Sequence, residues 1–94
     1  MVRVLIERWL KPGKGPELLD ALRGMRGDAV HATGYISGET LHDAADPNHF
    51  ITISTWHSLE EWNAWADCRA RQQVRERVAP LLAKDERVTV LEHT

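Results

Sequence analysis

Three groups of side chains in this 94-residue chain have the types and spacing for chemistry on a small molecule. The first is Trp56, Trp62 and Trp65, three of the four tryptophans, against a single Phe and a single Tyr. Indoles supply much contact area per residue, whether in a core, at an interface or around a flat ligand. On a helix, Leu59, Trp62 and Ala66 keep the spacing of a core stripe, and Trp65 falls one residue off it, toward a flank. Packing accounts for Trp56 and Trp62, while Trp65 is either flank packing or the wall of a mostly apolar pocket.

The second group is the basic run Arg69, Arg71, Arg75 and Arg77. Arg71 and Arg75 stand one helical turn apart, a spacing that lets two guanidiniums share a carboxylate or phenolate at a pocket mouth. The competing reading is a solvated face paired with Glu76 and nearby acids. The third is Glu7, which alternation places on one strand face with Leu5 and Trp9. A carboxylate among apolar neighbours is costly unless paired. Glu7 either pairs with Arg3 or Arg75, or acts as a base with a raised pKa.

Other chemistries lack support. The five histidines are scattered, with none at HxxxH spacing, so no metal site is expected. The lone Cys68 forms neither an internal disulfide nor a cysteine cluster, which fits a reducing compartment. No Ser–His–Asp or Cys–His set has spacing support, and Gly13-Lys14-Gly15 is a loop without the GxxxxGK[ST] pattern. A net charge of -2 and a pI near 6.2 give no field to attract nucleic acid. No apolar run suits a membrane span, and the charges in Val2–Arg8 argue against a signal peptide. The expectation is a cytoplasmic protein.

The elements that must position these groups follow from periodicity. With 43% hydrophobic and 28% charged residues, the chain is one folded domain over 1–94. Val2, Val4 and Ile6 alternate along a first strand to about Leu10, and the Pro/Gly-rich stretch 11–16 ends it. Leu18, Leu19, Leu22 and Met25 recur at helical spacing, with Pro16 in the first turn and Gly24 and Gly27 weakening the end. Tyr35–His42 and His49–Trp56 read as an antiparallel pair across a moderate loop, with Gly38 a bulge or close-approach position. Ser58-Leu-Glu-Glu61 has capping-box spacing and opens a second helix, kinked near Asp67–Cys68 and ending by Pro80. Arg87–Glu92 alternates as a closing strand.

The order βαββαβ is that of an α+β, ferredoxin-like fold: a four-stranded antiparallel sheet with its helices on one face. Alternation assigns Leu5, Trp9, Phe50 and Trp56 to the other face, an apolar patch too large for a monomer. A homodimer with stacked sheets would cover it.

The stretch Gly34–Leu41, then Asp46-Pro47, then Phe50–Trp65 with its Trp-x-Ser-x-Glu-Glu-x-x-x-Trp run, resembles the antibiotic biosynthesis monooxygenase domain family. The resemblance covers nearly the whole chain and implies a dimeric α+β barrel. It also implies a cofactor-independent monooxygenase, an oxidoreductase acting on an aromatic or quinone-like molecule. In that reading Glu7 is the base, Arg75 the partner of a phenolate and Trp65 the aromatic wall, with Trp9, Phe50 and Arg71 contacting substrate. Some members bind and degrade haem with a first-strand Asn, a helix Trp and a helix His. Here Trp65 matches the Trp, but Glu7 and Arg75 stand at the other two positions, which removes the axial iron ligand. The alternative is a non-catalytic dimeric binding protein for a small molecule, haem included.

Overall fold

Alternation along the first strand decides which side of the sheet the helices cover. In the computed structural model, which describes residues 1–94, strand β1 (Val2–Trp9) buries Val2, Val4, Ile6 and Arg8. Arg3, Leu5, Glu7 and Trp9 lie on its opposite side, exposed or half-buried. Gly13 turns the chain with a left-handed φ of 81°, a conformation glycine adopts without strain. Helix α1 (Gly15–Ala29) starts with Pro16 in its first turn, has Glu17 early and Arg26 late, and buries Leu18, Ala21, Leu22 and Ala29. Gly24 and Gly27 do not end the helix: burial of Ala29 holds its last turn.

Strands β2 (Tyr35–Asp43) and β3 (Asp46–Trp56) form the hairpin. Their connection is shorter than the moderate loop expected. Asp43 pairs with Asp46, and the Asp43 carboxylate accepts the Ala45 N–H at 2.8 Å, so the turn-forming residues of 43–48 largely extend the strands. Gly38 is indeed a close-approach position, since a Cβ there would meet the Tyr35 hydroxyl at 2.6 Å.

Ser58 caps helix α2 (Leu59–Ala66), its Oγ accepting the Glu61 N–H at 3.2 Å. The Glu61 carboxylate accepts from the Ser58 hydroxyl at 2.9 Å and contacts the His57 ring at 2.9 Å. The expected kink is a full break: helix α3 (Arg69–Val78) begins anew after Cys68, and a 3₁₀ turn at Ala79–Leu81 contains Pro80. Strand β4 (Arg87–Glu92) closes the sheet. No helix is long and apolar enough to cross a membrane.

The strand order is β2-β3-β1-β4, antiparallel throughout, which is the ferredoxin-like arrangement. The β1/β3 register corrects one expectation. Val2 pairs with Trp56 and Arg8 with Phe50, so Phe50 and Trp56 lie on the helix side and not beside Leu5 and Trp9. Two core clusters result. Phe50, Leu10, Leu18, Leu22, Val74 and Val78 pack at one end, and Val2, Val4, Ile6, Trp56, Trp62 and Trp65 at the other. Burying one indole removes about 150–250 Å² from water, roughly 4–6 kcal/mol of transfer free energy. The second cluster is the heavier anchor.

Candidate functional site

Trp56 ends β3 on the helix side and is almost fully buried. Three rings surround it: Tyr35 edge-on at 5.4 Å, Trp62 edge-on at 5.7 Å and Trp65 stacked at 6.1 Å. Its indole N–H donates to Ser54 Oγ at 3.0 Å, so the burial strands no donor. Trp65 is buried as well, contrary to its flank position on the α2 stripe. The break at Cys68 lets α2 lie on the sheet with Trp62 and Trp65 both inward, leaving Leu59 exposed.

These rings wall a cavity of about 50 Å³ between sheet and helices. Its sheet floor is Ile6, Thr40, Thr52, Ser54 and Trp56; Met25 and Ala29 of α1, Trp62 and Trp65 of α2, and Arg71 of α3 complete the wall. The space holds a few water-sized volumes and is smaller than an aromatic ring system.

The polar part of this wall continues inward. Thr40 and Thr52 hydroxyls lie 3.1 Å apart, and Thr52 Oγ1 accepts from Arg8 Nη1 at 3.0 Å. Arg8 and Arg71 are both buried and converge on Glu86: Arg8 Nε lies 3.1 Å from Oε2 and Arg71 Nη2 lies 3.4 Å from Oε1. Burial pushes both guanidiniums below their ordinary pKa, against the opposing pull of Glu86. The 82–86 segment that carries Glu86 is pinned beside β1: Ala83 N–H donates to the Trp9 carbonyl at 2.7 Å, and Lys11 N–H to the Leu81 carbonyl at 2.9 Å.

The residues expected to act together are divided. Trp65 and Arg71 border the cavity. Arg75 does not: it is 60% exposed on the outside of α3 and reaches Glu86 only at 3.7 Å, in an open groove with Gln72, Glu76 and Asp85. Phe50 is buried in the other core cluster, packed with Leu10 and Val74. Glu7 and Trp9 lie across the sheet, on the face without helices. There Glu7 Oε2 contacts His49 Nε2 at 3.2 Å, Asp43 Oδ2 contacts His49 Nδ1 at 3.2 Å, and the Trp9 ring stacks on His49 at 5.0 Å. Glu7 therefore pairs, with His49 and not with Arg3 or Arg75. Hydrogen bonding to Asp43, then Glu7, raises the His49 pKa.

Arg8 and Glu86 were not singled out from the sequence. The signal for Arg8 was present, since Val2, Val4, Ile6, Arg8 and Leu10 hold one alternation and position 8 must point inward. Glu86, just before β4 in a Lys-Asp-Glu-Arg run, carries no such signal. No histidine or cysteine borders the cavity, so a haem would find no such iron ligand there.

The family model for antibiotic biosynthesis monooxygenases matches residues 1–83. The chain is 30% identical over 66 residues, 70% of its length, to protein SchA of Streptomyces halstedii, and spans 17% of that protein. Among solved structures it is similar to a conserved protein of Methanosarcina mazei, with a TM-score of 0.93 at 13% identity over 99% of this chain and 92% of that one. A structure described as an antibiotic biosynthesis monooxygenase gives a TM-score of 0.88 at 16% identity, covering 100% of this chain and 99% of that one. At these identities the structural likeness speaks for the fold.

Proposed function

The chain belongs to the antibiotic biosynthesis monooxygenase family, and from that premise we propose that it is a cofactor-independent monooxygenase oxidising an aromatic or quinone-like molecule in the cavity beneath α2 and α3. One observation carries this reading: three indoles and Tyr35 wall a space whose floor offers Thr40, Thr52 and Ser54 and whose end is Arg71. An apolar wall with a few convergent polar groups suits a flat ring bearing oxygen substituents. The substrate supplies the electrons. A ring methylene loses both hydrogens, one oxygen atom of O₂ becomes the carbonyl on that carbon, and the other leaves with the two hydrogens as water.

In this scheme Trp65 and Trp56 orient the ring, and Arg71 takes the role that the sequence suggested for Arg75. Glu7 has no part in it, because the sheet separates it from the cavity. The reading also takes the chain as a cytoplasmic homodimer. In support, Leu5 pairs with Ile53 and Leu41 with Ile51 across the helix-free face, a stripe suited to a second sheet.

Oxygen uptake with anthrone, which carries such a methylene, in the presence of a metal chelator tests the activity, and a hydroxynaphthoquinone, which carries none, serves beside it as a binding probe. Trp65→Ala should lower turnover by about tenfold or more, as loss of ring orientation does. Glu7→Gln should leave turnover within about twofold, there being no transition-state contact to lose. Tryptophan quenching by these compounds without oxygen uptake would replace the enzyme with a small-molecule binding module.

A further inference from the structure

The cavity is smaller than the ring compounds that the proposed function assigns to it, so part of its wall must give. The buried part, with Trp56, Trp62, Trp65 and Arg71 among it, is poorly placed to do so: each of these is at most 8% exposed, and the indoles pack on one another. Thr40 and Thr52 are tied through their hydroxyls. The exposed or half-buried rest lies along one side, with Met25 and Arg26 on α1 and Tyr35, Gly38 and Glu39 on β2. That side is the mouth, and Tyr35 is the aromatic ring in it.

The local backbone puts Tyr35 there. In a regular strand, residues 35 and 38 would face opposite sides of the sheet. The register shifts between Tyr35 and Ser37, so Tyr35 pairs with Trp56 and Gly38 with Ser54, both on the helix side. The extra residue, Ile36, forms a bulge of the kind that re-aims side chains beside sites. The backbone at Tyr35 is held: its N–H donates to the Ala32 carbonyl at 3.3 Å, and Gly34 before it is left-handed, with φ 87°, and packs on Glu61. The side chain is held less. Its ring is half-buried, meets Trp56 edge-on at 5.4 Å and lays its hydroxyl over Gly38, where a Cβ would come within 2.6 Å of it.

We propose that Tyr35 is the door of the cavity and Gly38 the seat on which it closes. Rotation about the Tyr35 side-chain bonds lifts the ring from Trp56 and joins the cavity to solvent between α1 and β2, with no change in the sheet ladder. Tyr35 thereby sets the rates of entry and exit, and through them which ring compounds reach the indoles. The proposal rests on reading the cavity as a ligand site and is independent of the chemistry done there.

Gly38→Ala is the deciding variant. The φ of Gly38 is not positive, so a methyl there strains no backbone and meets the movable end of Tyr35. It should hold the ring off its seat. Adding Tyr35→Phe should let the ring close again, because the next ring carbons lie 3.5 and 3.6 Å from the methyl position, ordinary van der Waals contact. Stopped-flow quenching of tryptophan fluorescence by 2-hydroxy-1,4-naphthoquinone reads the effect in the intact protein. Gly38→Ala should raise the association and dissociation rate constants together by about fivefold or more and leave Kd within about twofold, as removal of a barrier does. The double variant should return both rates to within about twofold of the unsubstituted protein. Rates unmoved by Gly38→Ala, or raised rates that persist in the double variant, would overturn the door. So would a weaker Kd carried by dissociation alone, which would make Tyr35 ordinary wall packing. If the quinone does not bind the folded protein, the aromatic-cavity reading falls, and acrylamide quenching of the same indoles decides the door by itself. Faster quenching in Gly38→Ala that is reversed in the double variant keeps it; equal quenching in all three proteins removes it.

Discussion

The two faces of the sheet carry similar chemistry under opposite conditions. On the open face, His49 sits between Glu7 and Asp43 with Trp9 stacked on it, and the charges have partners and access to water. On the helix face, Arg8 and Arg71 share Glu86 with Trp56 and Trp65 nearby, and two buried N–H groups have no partner within the protein. The open cluster is complete as it stands. The buried one is not. A titratable group that attracts notice by type, such as Glu7, is therefore a weaker pointer to a site than a buried group left without a protein partner.

Substitutions on the two sides should separate accordingly. Trp56→Ala, at the centre of the aromatic cluster, is expected to cost about 3–5 kcal/mol in urea unfolding, the range for truncating a fully buried aromatic residue. Glu86→Leu leaves two buried guanidiniums uncompensated and should cost about 3 kcal/mol by the same measurement. A cost near zero would mean that the guanidiniums find water, and the contrast between the faces would disappear. Ser58→Ala removes the cap that sets α2 on the helix side and should cost about 1 kcal/mol, visible as a lower Tm.

The smallest effect belongs to the open face. The His49 pKa lies above its ordinary 6.5, chiefly through Asp43. A value raised in the folded state means that the charged cluster contributes fully below the unfolded value and loses that contribution as pH climbs through the folded one. Stability should therefore decline modestly as pH rises above the ordinary histidine value of 6.5, and His49→Asn should flatten that decline in a pH series of denaturation curves.

Much of this was legible in the chain. Alternation in Val2–Ile6 and Phe50–Trp56 gave the strands, and the Ser58–Glu61 spacing placed the α2 cap where it is found. The side on which each strand residue lies was harder, because Phe50 and Trp56 depend on a register set by pairing with β1. Arg71 read as either a pocket-mouth group or part of a solvated run with Arg69, Arg75 and Arg77, which are exposed; its burial beside Glu86, fifteen residues away, is announced by no local pattern. Trp65 was displaced from its expected flank by a helix break that periodicity showed only as a kink.

The Arg8–Glu86 pair joins positions 78 residues apart, close to the full span of the chain. Contacts of that separation close the largest loop and so form late on the way to the native state. Until the last strand arrives, the helix side holds two cations with no carboxylate between them, and like charges there resist collapse. By joining β1 to the segment that leads into β4, Glu86 thus makes the neutralisation of charge on the helix side a long-range event and not a local one.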